Sequence, residues 1–246
     1  MSRIDVLGVG FDDLTRESAV AMCKRLIEEH SSAYMVTPNP EIVMASWETQ
    51  ELHEAICGAD LVIPDGIGVV KAAKILGTPL KERLPGIEIG EAILAYCASA
   101  GKRVFLLGAK PGVAELAAEK MRSLYLGIDI CGVNDGYFKD DDPVVEKINA
   151  ARPDFLMVCL GAPKQELWMA KNADRLDVGL MAGLGGSLDV FAGTVQRAPK
   201  AWQKMNAEWL YRCLKEPWRF KRIYRLPLFI IKAWIKRIRK LFNGKG

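Results

Sequence analysis

Histidine is nearly absent from this 246-residue chain: only His30 and His53 occur, and the six cysteines stand far apart with no Cys-x-x-Cys pair. That scarcity excludes an ordinary zinc site and a disulfide framework, and it fits reduced thiols in buried apolar stretches. Low-complexity tracts and internal repeats are missing too. So is the Gly-x4-Gly-Lys-[Ser/Thr] run of a nucleoside-triphosphate loop. The start, Met-Ser-Arg-Ile-Asp-Val, lacks an apolar signal segment, so the expectation is a cytoplasmic protein. What is present is a half-apolar composition punctuated by 22 glycines and 12 prolines, enough to build a core from many short elements.

Charge is informative once it is divided. From Arg197 onward fifteen Lys/Arg face two acids, Glu208 and Glu216, a net of +13; residues 1–196 hold nineteen bases and twenty-eight acids, a net of −9. The small overall charge of +4 hides two oppositely charged parts. A basic terminal segment on an acidic body calls for an anionic partner, nucleic acid or a membrane surface.

Strands and helices alternate through residues 1–195. Strands are expected at residues 4–10, 33–37, 61–63, 103–107, 128–133, 155–160 and 178–182, with the first helix capped by Asp12 or Asp13 and another running from 41 to 57. The pattern predicts an α/β fold, a doubly wound, mainly parallel, Rossmann-like sheet covered on both faces, with residues 196–246 as a basic helical appendage. Ligand-facing loops then gather at the carboxyl ends of the strands. Gly8-Val9-Gly10 is not a dinucleotide fingerprint, because its third glycine falls at Asp13 and an acidic helix entrance repels a pyrophosphate.

The central stretch is Leu61-Val62-Ile63-Pro64-Asp65-Gly66-Ile67-Gly68. It delivers one carboxylate from an apolar strand into a glycine-flanked turn, making Asp65 the first candidate for catalysis; capping of the following helix is the competing role. Thr37-Pro38-Asn39-Pro40-Glu41 is a rigid polar loop suited to sugar hydroxyls or a uracil edge, or a Pro-stiffened helix cap. Arg83, before Pro85-Gly86, reaches toward an anion or lies solvated. Gly108-Ala109-Lys110-Pro111-Gly112 is strand, glycine turn and helix, an anion-binding arrangement. Gly161-Ala162-Pro163-Lys164-Gln165-Glu166 repeats that plan with Lys164, Gln165 and Glu166 at its mouth, Lys164 to meet a phosphate and Gln165 to read a base edge. Asp140-Asp141-Asp142 contains an Asp-x-Asp pattern, yet its position before Pro143 makes it an exposed helix cap rather than a metal site.

Beyond Pro227, Leu228, Ile231, Ile235, Ile238 and Phe242 recur at helical spacing, interleaved with Lys232, Lys236, Arg237, Arg239 and Lys240. This is a basic amphipathic helix with Trp218, Phe220, Phe229 and Trp234 as interfacial anchors. Its longest uncharged run, residues 226–231, is too short to span a bilayer, so it is expected to lie on an anionic leaflet. Packing on the core, or on a second copy of the chain off the membrane, is the alternative. Nucleic acid fits least, since aliphatic side chains outnumber the aromatics that stack bases.

Together with Gly185-Gly186-Ser187-Leu188-Asp189, Arg197-Ala198-Pro199 and Glu208-Trp209-Leu210-Tyr211-Arg212, with Pro217 and Arg219 following, these motifs resemble the WecG/TagA/CpsF glycosyltransferases in order over nearly the whole chain. Leu188 departs from the pattern, which more often has an aromatic there. The resemblance implies an inverting, metal-independent transferase without a cofactor. It implies transfer of N-acetylmannosamine, or a related sugar such as its uronic acid, from a UDP donor to undecaprenyl-diphosphate-linked N-acetylglucosamine at the cytoplasmic membrane face. In the teichoic-acid branch the product is a β-1,4 linkage-unit disaccharide. On this sequence it makes Asp65 the general base, lets Thr37 and Asn39 orient sugars, gives the uridine to Gln165 and brings the Gly108 turn near the donor. The diphosphate then needs cations, for which Arg212, Arg219 and Arg222 on the tail, with Arg83, are the candidates.

Overall fold

The computed structural model describes residues 3–205, 207–215 and 225–243. In chain order its elements are β1 (Arg3–Val6), β2 (Val9–Asp12), α1 (Arg16–Glu29), β3 (Ala33–Val36), α2 (Pro40–Ser46), α3 (Gln50–Cys57), β4 (Leu61–Val62), α4 (Ile67–Leu76), α5 (Gly86–Ala100) and β5 (Arg103–Gly108). They continue with α6 (Val113–Leu124), β6 (Asp129–Asn134), α7 (Asp142–Ala151), β7 (Phe155–Cys159), α8 (Lys164–Asn172), β8 (Leu180–Gly183), α9 (Ser187–Phe191), α10 (Lys200–Lys204), α11 (Glu208–Lys215) and α12 (Arg225–Asn243).

Six strands form one sheet in the order β4-β3-β8-β7-β5-β6, every pair parallel. Its central strands are apolar on both faces, because helices cover both. Val104 and Leu106 of β5 join Phe155 and Met157 of β7 against α1, α5, α6 and α9, whereas Phe105, Leu107, Leu156 and Val158 face α2, α3, α4, α7 and α8. The expected doubly wound α/β architecture is therefore present, and the ends of β3, β4, β7 and β8 meet on one edge.

Three local expectations are corrected. Residues 4–10 are not one strand but a hairpin: β1 and β2 pair antiparallel outside the large sheet. Leu7 and Gly8 both take positive φ (57° and 103°), the conformation a tight hairpin turn requires, and Asp5 Oδ2 accepts the Gly8 N–H at 3.0 Å. Neither Asp12 nor Asp13 caps α1. Thr15 does, in a reciprocal box with Ser18, while the buried Asp12 carboxylate accepts the Val62 N–H at 2.8 Å and ties the hairpin to β4. The helix expected over 41–57 is two, α2 and α3.

The tail helix α12 lies on α4 and α2. A Cβ at Gly68 would stand 2.5 Å from Leu226 Cδ1 and 2.6 Å from Pro40 Cγ, so the glycine makes room for this close approach. Phe229 is fully buried and stacks on Trp47, with ring centroids 6.2 Å apart at 12°. Lys232 Nζ sits 4.2 Å above the Trp47 ring, Lys236 pairs with Asp5 at 2.6 Å, and Arg237 donates to the Leu76 carbonyl at the end of α4 at 3.2 Å. The assignment of Phe229 as an interfacial anchor is thus corrected: its ring belongs to the core. Trp234 remains exposed, beside exposed Ile231, Ile235, Ile238, Leu241 and Phe242. Among the described residues no helix is long and apolar enough to cross a membrane.

Candidate active site

The loops at the carboxyl ends of β3, β4, β7 and β8 enclose a cleft of about 620 Å³, closed on one side by Trp209 of α11 and by Leu226 of α12. Asp65, Thr37, Asn39 and Gln165 line it, as the parallel-sheet argument requires, and Arg83 joins them from the loop between α4 and α5. A second cavity of about 580 Å³ adjoins it, and the two share Gly161, Gly185 and Gly186.

Asp65 is half-buried two residues before α4. The strand that carries it is held by the Ile63 N–H on the Val36 carbonyl (3.1 Å) and by the Leu84 N–H on the Pro64 carbonyl (2.9 Å). Gly66, at φ +117°, makes the turn and is itself the N-cap of α4. Asp65 itself does not occupy the cap position. Arg83, half-buried, precedes the residue that holds Pro64, so the loop that steers Asp65 also carries a guanidinium to the cleft.

Thr37 is buried and donates from Oγ1 to the Gly183 carbonyl at 3.1 Å, tying the β3 loop to the β8 loop. Asn39 caps α2, its Oδ1 accepting from the N–H groups of Glu41 (2.9 Å) and Ile42 (3.1 Å). Of the two roles weighed for this residue, the structure shows the helix cap.

Other expected residues stand differently. Gln165 is not an exposed arm; it is buried, donating from Nε2 to Glu166 Oε1 and accepting the Gly185 N–H on Oε1, both at 2.9 Å. Glu166, expected at the mouth, is wholly buried, and burial raises its pKa above the ordinary carboxylate value. Lys164 donates to the Gly136 carbonyl at 2.8 Å, lies 4.6 Å from the Phe138 ring centre and faces the second cavity with Lys110 and Asp189. Gly108 is required by its neighbour strand: at φ +132°, a Cβ there would stand 2.2 Å from the Cys159 carbonyl oxygen. Ala109 and Lys110, just beyond it, line the second cavity.

Asp141 holds the N-cap position of α7 as expected, but it is half-buried and makes no side-chain cap bond. It accepts from Trp168 Nε1 (3.0 Å) and pairs with Lys171 (2.7 Å), while Asp142 pairs with Arg175, so the acidic run fastens α7 to α8. Among the described residues no cluster of three or more His, Cys, Asp or Glu is placed to hold a metal.

Trp218, Arg219, Arg222 and the side chain of Arg212 lie outside the described residues. Sequence reasoning gave no role to Glu208, which lines the cleft and stands 3.7 Å from Arg197, itself paired with Glu88 at 2.6 Å. The signal was available: Glu208 is one of two acids in a strongly basic segment.

A parallel, doubly wound sheet with a carboxylate, an arginine and glycine turns converging at its carboxyl edge has the plan of an α/β enzyme. The profile of the "Glycosyl transferase WecG/TagA/CpsF family" matches residues 4–243. The chain belongs to that family. It is 37% identical over 247 residues to a Staphylococcus aureus (strain MW2) protein, covering 99% of this chain and 96% of the relative. A Bacillus spizizenii protein is 37% identical over 204 residues, 83% of this chain and 79% of the relative. Both relatives bear the name N-acetylglucosaminyldiphosphoundecaprenol N-acetyl-beta-D-mannosaminyltransferase.

Proposed function

We propose that this chain transfers N-acetylmannosamine from a UDP donor to N-acetylglucosamine carried on undecaprenyl diphosphate, forming the β-1,4 linkage with inversion. The observation that carries the mechanism is the place of Asp65, on a rigid strand end in the cleft, in a chain similar over its full length to transferases named for this reaction. The Asp65 carboxylate takes the proton of the acceptor hydroxyl as that oxygen attacks the anomeric carbon. The carbon–oxygen bond to UDP breaks on the opposite face, and UDP leaves with the electron pair. One base suffices for inversion.

Thr37 and Asn39 orient the sugars at the β3 edge. Negative charge develops on the departing diphosphate, and with no metal cofactor it falls to cationic side chains. Arg83 supplies one from the core, Lys110 and Lys164 flank the second cavity, and Arg212, Arg219 and Arg222 supply more from the tail. Gln165 acts on the donor through the turn it holds rather than by direct reading of the base. The apolar wall formed by Ile42, Ala45, Leu52, Ile67 and Leu226 suits the start of a prenyl chain.

The exposed apolar face of α12, with Trp234 and the basic residues around it, rests on the anionic inner leaflet where that acceptor resides; residues 196–246 act as a docking appendage. Off the membrane, a second copy of the chain is the natural cover for that face.

The test is UDP release from UDP-N-acetylmannosamine, with and without a lipid-diphosphate-N-acetylglucosamine acceptor, by wild type and Asp65→Asn. Acceptor-dependent release that falls by roughly a hundredfold or more in the variant is expected. Equal rates in both proteins would refute the role of Asp65. Release only from a different donor, such as the uronic acid, would refute the substrate assignment.

A further inference from the structure

Glu166 is an expensive residue to bury. It is wholly excluded from solvent; one carboxyl oxygen accepts from Gln165 and the other, Oε2, has no hydrogen-bond partner. An apolar side chain of similar size avoids that cost, so the acid is retained for what its bonded oxygen does. The Gly185 N–H needs a carbonyl oxygen opposite it, which fixes the Gln165 amide with Oε1 toward Gly185 and its NH2 group toward residue 166. Only an acceptor at 166 satisfies that NH2 group.

The turn held in this way is shared by both cavities. It is fixed from three sides: Gln165 on Gly185, the Thr37 hydroxyl on the Gly183 carbonyl, and the Leu184 N–H on the Val158 carbonyl at 2.9 Å. Space around Gly183 is tight, since a Cβ there would lie 3.1 Å from Gln165 Nε2. A change in the Gln165 amide therefore moves backbone that both substrates border.

We propose that Glu166 is a positioning residue for glycosyl transfer, its carboxyl oxygen locking the Gln165 amide so that the Gly185-Gly186 turn sets the donor against the acceptor. The inference rests on the transfer reaction proposed above, and it acts on the relative placement of two bound substrates more than on the affinity for either. Misplacement of that kind is felt in the chemical step.

The experiment compares Glu166→Leu and Glu166→Gln with wild type, each also in a Gln165→Leu background, by steady-state transfer and by hydrogen exchange at the 183–188 amides. Glu166→Leu should lower kcat by about tenfold or more with KM for each substrate changed less than about threefold, while its melting temperature holds or rises. Glu166→Gln keeps an acceptor oxygen and should retain kcat within about threefold. In the Gln165→Leu background, Glu166→Leu should add no further loss. Exchange at Gly185 should quicken about tenfold or more in Glu166→Leu and hold in Glu166→Gln, a result that needs no turnover. If wild type transfers no sugar yet exchange follows this pattern, the relay stands and the reaction assigned to the site falls. Unchanged kcat in Glu166→Leu, equal losses in the Leu and Gln variants, or additive losses with Gln165→Leu overturn the proposal.

Discussion

Replacing Phe229 by alanine should release the tail helix from the core without unfolding the core. Phe229 is fully buried and stacked on Trp47. Burial of such a side chain stabilises by about 1.5–3 kcal/mol, and an aromatic pair adds about 0.5–1.5 kcal/mol. Truncation thus removes about 3 kcal/mol of docking energy. What remains is the packing of Ala233 and Leu226, the Arg237 bond to the Leu76 carbonyl, the Lys236–Asp5 pair, half exposed on both sides and worth at most about 1 kcal/mol, and Lys232 over Trp47, worth about as much. A loss of about 3 kcal/mol shifts the docked-to-released ratio roughly a hundredfold. Hydrogen exchange at the amides of residues 228–241 should accelerate by about that factor, with residues 103–108 of β5 unchanged. Trp47 should also become more accessible to a fluorescence quencher. Unaltered exchange in α12, or equal acceleration in β5, would show that the ring does not hold the helix in this way.

Three further outcomes follow from the same packing. Burial raises the Asp141 carboxyl pKa, but bonds from Lys171, Asn172 and Trp168 outweigh it and hold the pKa below the usual carboxylate value. Its contribution to stability is therefore present above the unfolded-state pKa and lost as pH falls through the depressed folded value. Asp141→Ala should cost about 1–3 kcal/mol at neutral pH, and the difference from wild type in urea unfolding should shrink on acidification through that range. Gly108→Ala should destabilise by about 3 kcal/mol, from positive φ and a clash with the Cys159 carbonyl, measured by thermal unfolding; a neutral outcome contradicts the tight β5–β7 register. Trp234→Glu with Phe242→Glu should weaken binding to phosphatidylglycerol vesicles by tenfold or more, as measured by sedimentation, while melting stays near wild type.

The architecture was legible because its signals are local and strong. Runs such as Val104-Phe105-Leu106-Leu107 and Phe155-Leu156-Met157-Val158 are apolar on both faces, and only a covered parallel sheet accommodates that. The place of Asp65 in the cleft was legible for the same reason, the residue being a carboxylate at the end of such a run. The hairpin at the start was not, because Leu7 at positive φ is a conformation its residue type disfavours; it is held by the Trp47 indole N–H on its carbonyl at 2.9 Å, a contact forty residues away. Glu166 was misplaced because a charged residue at a helix entrance ordinarily faces water, and its burial depends on an amide partner only the fold supplies. Gly108 was read as part of an anion-binding turn, whereas the demand for glycine at that position comes from the adjacent strand.

The tail helix presents two apolar surfaces, one buried on the core and one exposed. Phe229 and Ala233, four apart, are buried against the core, while Ile231, Trp234, Ile235, Ile238 and Phe242 point elsewhere and stay exposed. A helix apolar on one side only would use up that side in docking. This one is apolar around more of its circumference, and its cations are divided accordingly: Lys232, Lys236 and Arg237 hold protein partners, whereas Arg239 and Lys240 are exposed. Core docking and a second apolar contact are therefore compatible. Because Leu226, one turn before Phe229, walls the cleft that holds Asp65, whatever covers the outer face bears on a helix whose inner end borders the substrate. Release of that helix by Phe229→Ala should then slow transfer even on a soluble acceptor, where a lipid surface plays no part. Full activity of the released variant on that acceptor would separate the tail from the chemistry.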